Sequence, residues 1–239
     1  MTNTSIKSFL SILETQSQQF KKIDLFDTEV ELRPLSFKQQ KLLITSGLNG
    51  VAGVLSFLKI LNDILIENTG DNDLKVYHKI PLVLHLKNAI SNVDLVRNDT
   101  VIKMEDIIKN IKPFNHKDTA VVEGNGFSIN LKIPTLKDEN KIISACIEEI
   151  RKTTVDDISK NVSLIMSYEL PKFIESITFG TETLIFKDLT MNERSKIIDN
   201  LPADVTANIS NFISIVRQYE EDIMTVDGIT VDIDSSFFE

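Results

Sequence analysis

TAVVEGNGFSINLKIP (Thr119–Pro134) is the stretch on which the fold class turns. Val121 and Val122 lead into Glu123-Gly124-Asn125-Gly126, whose glycines supply positive-φ positions for a tight turn. Phe127, Ile129, Leu131 and Ile133 then alternate with Ser128, Asn130 and Lys132, and Pro134 ends the run. A period of two places the apolar set on one face, which is the mark of a half-buried strand. The stretch is therefore a β-hairpin. Near the end of the chain, DIMTVDGITVDI (Asp222–Ile233) echoes it, with its turn at Asp227-Gly228. An earlier alternation, KKIDLFDTEVELRPL (Lys21–Leu35), sets Ile23 and Leu25 against Val30 and Leu32 around Asp27, with Pro34 as the stop. SITFGTETLIF (Ser176–Phe186) has the makings of a further small hairpin.

Between these ribbons the period is helical. Ser36 with Gln39 forms a capping box and opens a helix over Phe37–Ser46. Val54, Leu55, Leu58, Leu61, Ile64 and Leu65 mark the buried side of a second helix over Val51–Glu67. A third covers Leu74–Ile90, bent or begun near Pro81. Asp138–Lys152 and Val162–Ile174 read as helices, the latter ended or kinked by Pro171. Thr190 with Glu193 caps a helix to Asn200, and Ala203–Arg217 is another. Residues 1–22 read as a short amphipathic helix carrying Leu10, Ile12, Leu13 and Phe20. VIKMEDIIKNIKPF (Val101–Phe114) fits helix and strand equally. The expected fold is α+β, mostly helical, with two or three β-hairpins. Its domains are a lobe of 1–98 (amphipathic helix, hairpin and helices) and a lobe of 99–239 (hairpin, helices, hairpin), joined as one compact unit.

Composition narrows the function. The 239 residues carry a net charge of −9, from 26 basic and 35 acidic side chains. Nucleic-acid binding needs a concentrated basic face, and here lysine is scattered, so no nucleic-acid partner is expected. An acidic surface suits a basic protein partner better. No apolar run approaches the ~20 residues that span a bilayer, so no membrane role is expected. Cys146 is the sole cysteine, which rules out an internal disulfide or a cysteine-based zinc site within one chain.

Candidate chemistry is thin. His78 and His85 are seven residues apart on one helix, roughly 10 Å along its axis, too far to share a metal unaided. His116 sits in a loop beside Lys117 and Asp118 with no second ligand at suitable spacing. Glu148 and Glu149, Asp156 and Asp157, and Glu220, Glu221 and Asp222 read as solvated acidic faces, because a general acid/base pair needs environments that drive two pKa values apart. Asp71 and Asp73 lack the glycine and the closing glutamate of a calcium loop. Cys146, among Ile142, Ile143 and Ile147, reads as a buried small hydrophobe. No catalytic residue, cofactor site or metal site is assigned.

The order of segments carries a resemblance. ELRPLSFKQQKLLI (31–44) is followed by IPLVLHLKNAI (80–90) and VVEGNGFSINLKIP (121–134). ERSKIIDNLPADVTANISNFI (193–213) and VDGITVDIDSSFFE (226–239) come after them. This resembles the baseplate hub assembly family of T-even-like contractile-tailed bacteriophages, which includes the baseplate hub subunit and the hub assembly catalyst. The likeness runs from about Ile23 to Phe238. Its most specific parts are Arg33-Pro34 after the first strand and the terminal pair Phe237-Phe238.

The resemblance implies a non-enzymatic, chaperone-like factor in building the phage tail baseplate hub. Its partners would be other baseplate hub proteins, with homo-oligomerisation as a further expectation. It would act in the host cytoplasm during assembly; the alternative is a permanent structural component of the hub in the virion tail. Relatives carry a Cys-x-x-Cys pair in each of the two echoing hairpins, and this chain has none there. The implied outcome is that the ribbons near 119–133 and 222–234 pair metal-free, by packing of side chains such as Val121, Val122, Phe127, Ile129, Ile223, Ile229 and Val231. Arg33, Pro34, Gly124, Gly126, Asp227 and Gly228 take structural roles in this reading, and Phe237 and Phe238 are the candidate partner-binding residues.

Overall fold

The computed structural model describes residues 20–47, 50–90, 95–97, 100–152 and 169–238. The expected helix over residues 1–22 lies almost entirely outside them, as do 162–168 of the expected helix over 162–174. Within the described residues the fold is mixed α+β and rich in helix, with several small antiparallel strand pairs.

The first hairpin joins β1 (Lys21–Asp24) to β2 (Glu29–Leu32), with Ile23 facing Val30 in register. Ile23, Leu25, Val30 and Leu32 are all buried, so the alternation does set one face inward. Ser36 caps α1 (Phe37–Ser46), and its hydroxyl and the Gln39 side chain satisfy each other's backbone N–H groups. α2 runs over Gly50–Thr69. A single 3-10 turn (Val76–His78) then leads into α3 (Lys79–Ile90). Pro81 thus stands in the first turn, where its missing N–H costs nothing. The ambiguous stretch resolves into both forms. The strands β3 (Leu95–Arg97) and β4 (Thr100–Ile102) pair, and α4 (Met104–Lys109) follows.

The deciding hairpin is β5 (Thr119–Gly124) and β6 (Phe127–Lys132). Gly126 has φ +83°, as a tight turn needs. Gly124 answers a different need. The Phe127 ring lies across it, and a Cβ there would sit 2.3 Å from Phe127 Cζ.

The partner of this hairpin differs from expectation. β6 pairs with β7 (Ile174–Phe179), which pairs with β8 (Glu182–Ile185), giving a four-stranded antiparallel sheet in the order β5-β6-β7-β8. Asn130 Nδ2 donates to Ser176 Oγ at 2.9 Å across that junction. The expected pairing with the C-terminal ribbon does not form: helix takes the ribbon's first three residues, and the rest closes into a separate strand pair. α7 runs over Ala203–Met224, past the expected end at Arg217. Val205, Ile209, Phe212, Val216, Tyr219 and Ile223 hold a helical spacing on its buried side, and this stripe outweighs the local alternation. Asn110 Nδ2 donates to the Ile223 and Thr225 carbonyls and so closes the helix end. What remains is two-residue strands, β9 (Thr225–Val226) and β10 (Ile229–Thr230), around Asp227 (φ 51°) and Gly228 (φ 78°).

The expected helix ending at Ile174 stops instead at a 3-10 turn over Pro171–Phe173, after which β7 begins. Proline removes the donor a continuing helix would use. Thr190 and Glu193 cap α6 (Met191–Asp199) reciprocally. The last element, a 3-10 turn over Ser235–Phe238, packs on α1.

One buried cluster draws on both halves of the sequence, from Leu43, Leu61 and Leu84 to Ile129, Ile209 and Phe238. A second lies between α2 and α5 (Leu136–Lys152), formed by Leu55, Ile142, Ile143, Cys146, Ile147 and Ile150. No helix of the described residues is long and apolar enough to cross a membrane.

Candidate functional site

The two most specific segments of the resemblance lie beside α1, Phe238 bonded to it directly and Arg33-Pro34 through Asn68 of α2. The Arg33 N–H donates to the Asn68 carbonyl at 2.9 Å, and Asn68 Nδ2 returns hydrogen bonds to the Arg33 and Pro34 carbonyls. Gln39 on α1 donates to Asn68 Oδ1 at 2.8 Å. Its neighbour Gln40 donates to the Phe238 carbonyl at 2.7 Å, across 198 residues of sequence. Proline lacks an N–H and restricts the residue before it to extended backbone, so Arg33-Pro34 stops β2 and offers free carbonyls. Asn68, which the sequence reading overlooked, collects them.

Phe237 and Phe238 are 3% and 0% exposed. Phe238 tilts against Phe57 at 6.3 Å between centroids and meets Phe237 edge-on at 5.3 Å. Lys87 Nζ lies 5.9 Å from the Phe237 ring centre. As partner-binding residues they are therefore corrected. Both rings fill the protein's own core, and neither is available to another chain in this conformation. They hold the chain end down, which is why bulky apolar residues can stand at a terminus.

A second arrangement was not legible beforehand. Lys75 forms an isolated β-bridge with Thr135, clipped by Val76 N–H to Pro134 O and Leu136 N–H to Leu74 O. This sets the starts of α3 and α5 side by side, and Lys79 and Glu139 each stand four residues beyond the bridge. Glu139 is buried and accepts from Lys79 Nζ, from Lys172 Nζ at 2.9 Å and from Asn62 Nδ2 at 2.8 Å. Burial alone would raise its pKa. The two ammonium groups win and hold the carboxyl well below the usual range. Lys172 also pairs with Glu169 at 2.9 Å, and Arg217 reaches Glu169 at 3.4 Å. A usable signal was Asn62, a polar residue within the apolar stripe of α2.

This ion network borders a cleft of about 320 Å³ between α2, α3, α7 and the residues after β10. Leu58, Ile80, Val231 and Ile233 form apolar walls, and Lys79, Arg217, Glu220, Glu221 and Asp232 supply charge. Glu221 and Asp222 are exposed, as a solvated acidic face requires, but Glu220 is not. Burial pushes the Glu220 carboxyl up to about 7, against the opposing pull of Lys79. It makes no hydrogen bond or ion pair among the described residues. A carboxyl titrating near neutrality can give or take a proton.

The histidines serve separate ends. His78 is buried; its Nδ1 accepts from the Lys75 N–H at 3.1 Å, so Nε2 carries the hydrogen it donates to Asp27, 3.0 Å away. Burial lowers its pKa, against the raising effect of Asp27. Both ring nitrogens are committed, so the group is a latch with no lone pair left to act as a base. Tyr77 donates to the same Asp27 carboxylate at 2.9 Å and stacks on Phe114 at 4.3 Å. His85 is lowered in pKa by burial, and its Nδ1 finds no partner. His116 is exposed and lies edge-on to Phe114. Asp71 accepts from the Asp73 N–H at 2.8 Å in a local turn. Burial pushes the Cys146 thiol up to about 11. Among the described residues no three His, Cys, Asp or Glu side chains converge to hold a metal ion. Asp156 and Asp157 lie outside them.

Compared with known proteins, the chain matches no family model, no curated protein and no solved structure.

Proposed function

We propose that the chain is a non-enzymatic assembly factor for the baseplate hub of a contractile phage tail, holding a hub protein in an assembly-competent state. The observation that carries this reading is the ordered set of segments from Glu31 to Glu239. Of its two most specific members, Phe238 accepts from Gln40 of α1, and Arg33-Pro34 is held by Asn68, which accepts from Gln39. The net charge of −9 suits a basic protein partner.

The test has two steps. Co-expression with each hub protein encoded alongside the chain, followed by size-exclusion chromatography, is expected to yield one stable complex; no complex with any of them refutes the reading. Quantitative protein composition of purified tails then separates a chaperone, missing or substoichiometric, from a permanent hub component present in fixed ratio.

A further inference from the structure

Phe26 stands at the tip of the β1–β2 hairpin with φ 73°, a left-handed conformation that a bulky L-residue rarely adopts. Its ring is 53% exposed, so burial does not compensate the strain. The tip is nevertheless held from both sides. Asp24 Oδ1 accepts from the Phe26 N–H at 2.7 Å, and the Leu25 N–H donates to Thr28 O at 2.9 Å. On the other flank the Asp27 carboxylate is gripped by Tyr77 Oη and His78 Nε2, and Tyr77 packs against Phe114 and Tyr219 and, edge-on, against His78. These contacts hold the tip, and the residue they present to solvent is aromatic. Strain kept at an exposed position points to function. A pre-organised aromatic is the kind of residue that anchors an interface, because little entropy is lost when it docks.

We propose that Phe26 is the anchor by which this chain grips its protein partner, inserting into an apolar pocket rimmed by lysine or arginine. The rim follows from charge: Asp24 and Asp27 flank Phe26, while Glu29 is already paired with Lys22. Among the described residues no lysine or arginine is ion-paired with Asp24 or Asp27. The proposal rests on the hub-assembly reading for the identity of that partner.

The experiment uses the full chain and the purified hub proteins encoded with it, in three variants: Phe26→Gly, Phe26→Asn and the control Phe37→Ser. Phe37 is 82% exposed but lies at the start of a helix in ordinary backbone. Glycine and asparagine both accept a left-handed backbone, so both variants are expected to melt at or above the wild-type temperature. Both are expected to bind the hub protein at least tenfold more weakly, while Phe37→Ser binds as wild type and added salt weakens the wild-type complex. A Phe26→Gly variant that melts clearly below wild type, or that binds undiminished, overturns the proposal. Loss of a homodimer in place of a hub complex overturns it too. If no hub protein binds the wild type, the assembly reading falls and the anchor falls with it; undiminished binding by Phe26→Gly sinks the anchor alone.

Discussion

Glu139→Gln is the perturbation with the largest worked consequence. The wild-type carboxylate accepts from two buried ammonium groups and one amide. Lys79 pairs with Glu139, while Lys172 is shared between Glu139 and Glu169, and Glu169 also meets Arg217. Glutamine keeps the shape and removes one charge. Lys172 retains Glu169 at 2.9 Å, but Lys79 loses its ion pair. It is then a buried ammonium, with a side chain only 10% exposed, that has lost its hydrogen-bonded carboxylate. Breaking a buried pair in this way costs about 3–5 kcal/mol. For a chain of this length that corresponds to roughly 6–20 °C in Tm, at ~2–4 °C per kcal/mol.

The pH dependence follows from the sign of the shift. The folded pKa of Glu139 lies below its unfolded value of roughly 4.3, so its stabilisation is full above that pH. It is lost as pH falls through the folded value. The gap between wild type and Glu139→Gln should therefore shrink on acidification below about pH 4. Urea unfolding followed by circular dichroism reads both effects. The charge-balanced double variant Lys79→Met with Glu139→Leu should recover most of the loss, since an apolar replacement of a buried pair is often neutral. A loss below ~1 kcal/mol for Glu139→Gln, or a double variant as damaged as the single, would show that water screens the network and would refute the reasoning.

Phe238→Ala empties a fully buried site and should cost about 3–5 kcal/mol in the same assay. Phe37→Ala, on an exposed ring, should stay within ~0.5 kcal/mol, and equal effects at the two sites would mean that the chain end is not docked. Glu220 carries a folded pKa of about 7, above the unfolded value, so its contribution is full below the unfolded pKa and fades as pH rises through 7. Glu220→Gln should accordingly leave the urea midpoint unchanged near pH 4 and raise it at pH 8, and a pH-independent difference contradicts the raised pKa. Gly228→Ala forces a side chain onto φ 78° and should cost ~1 kcal/mol or more by thermal melting, with no loss if the turn can relax.

Much of the fold was legible because its determinants are local. Ser36 with Gln39 and Thr190 with Glu193 form the capping boxes their spacing announces. Ile23, Leu25, Val30 and Leu32 turn inward as period two requires. Asp227-Gly228 takes the two positive φ angles of its turn. The candidate site was not legible. Lys79, Glu139 and Lys172 are dispersed along the chain and become neighbours only through the Lys75–Thr135 bridge and the turn after Pro171. Glu220 is indistinguishable in sequence from Glu221, and burial alone sets it apart.

Unaided, the sequence determined the periodicities, the caps and turns, the acidic surface and the order of segments that carries the resemblance. These depend on neighbours within a few residues, where backbone sterics and side-chain spacing decide. Tertiary structure decided which ribbon β6 would pair with, how far α7 would run, that Phe237 and Phe238 face inward, and which carboxylates lose their water. Those outcomes hang on contacts between distant segments, whose energies exist only once the chain has closed on itself.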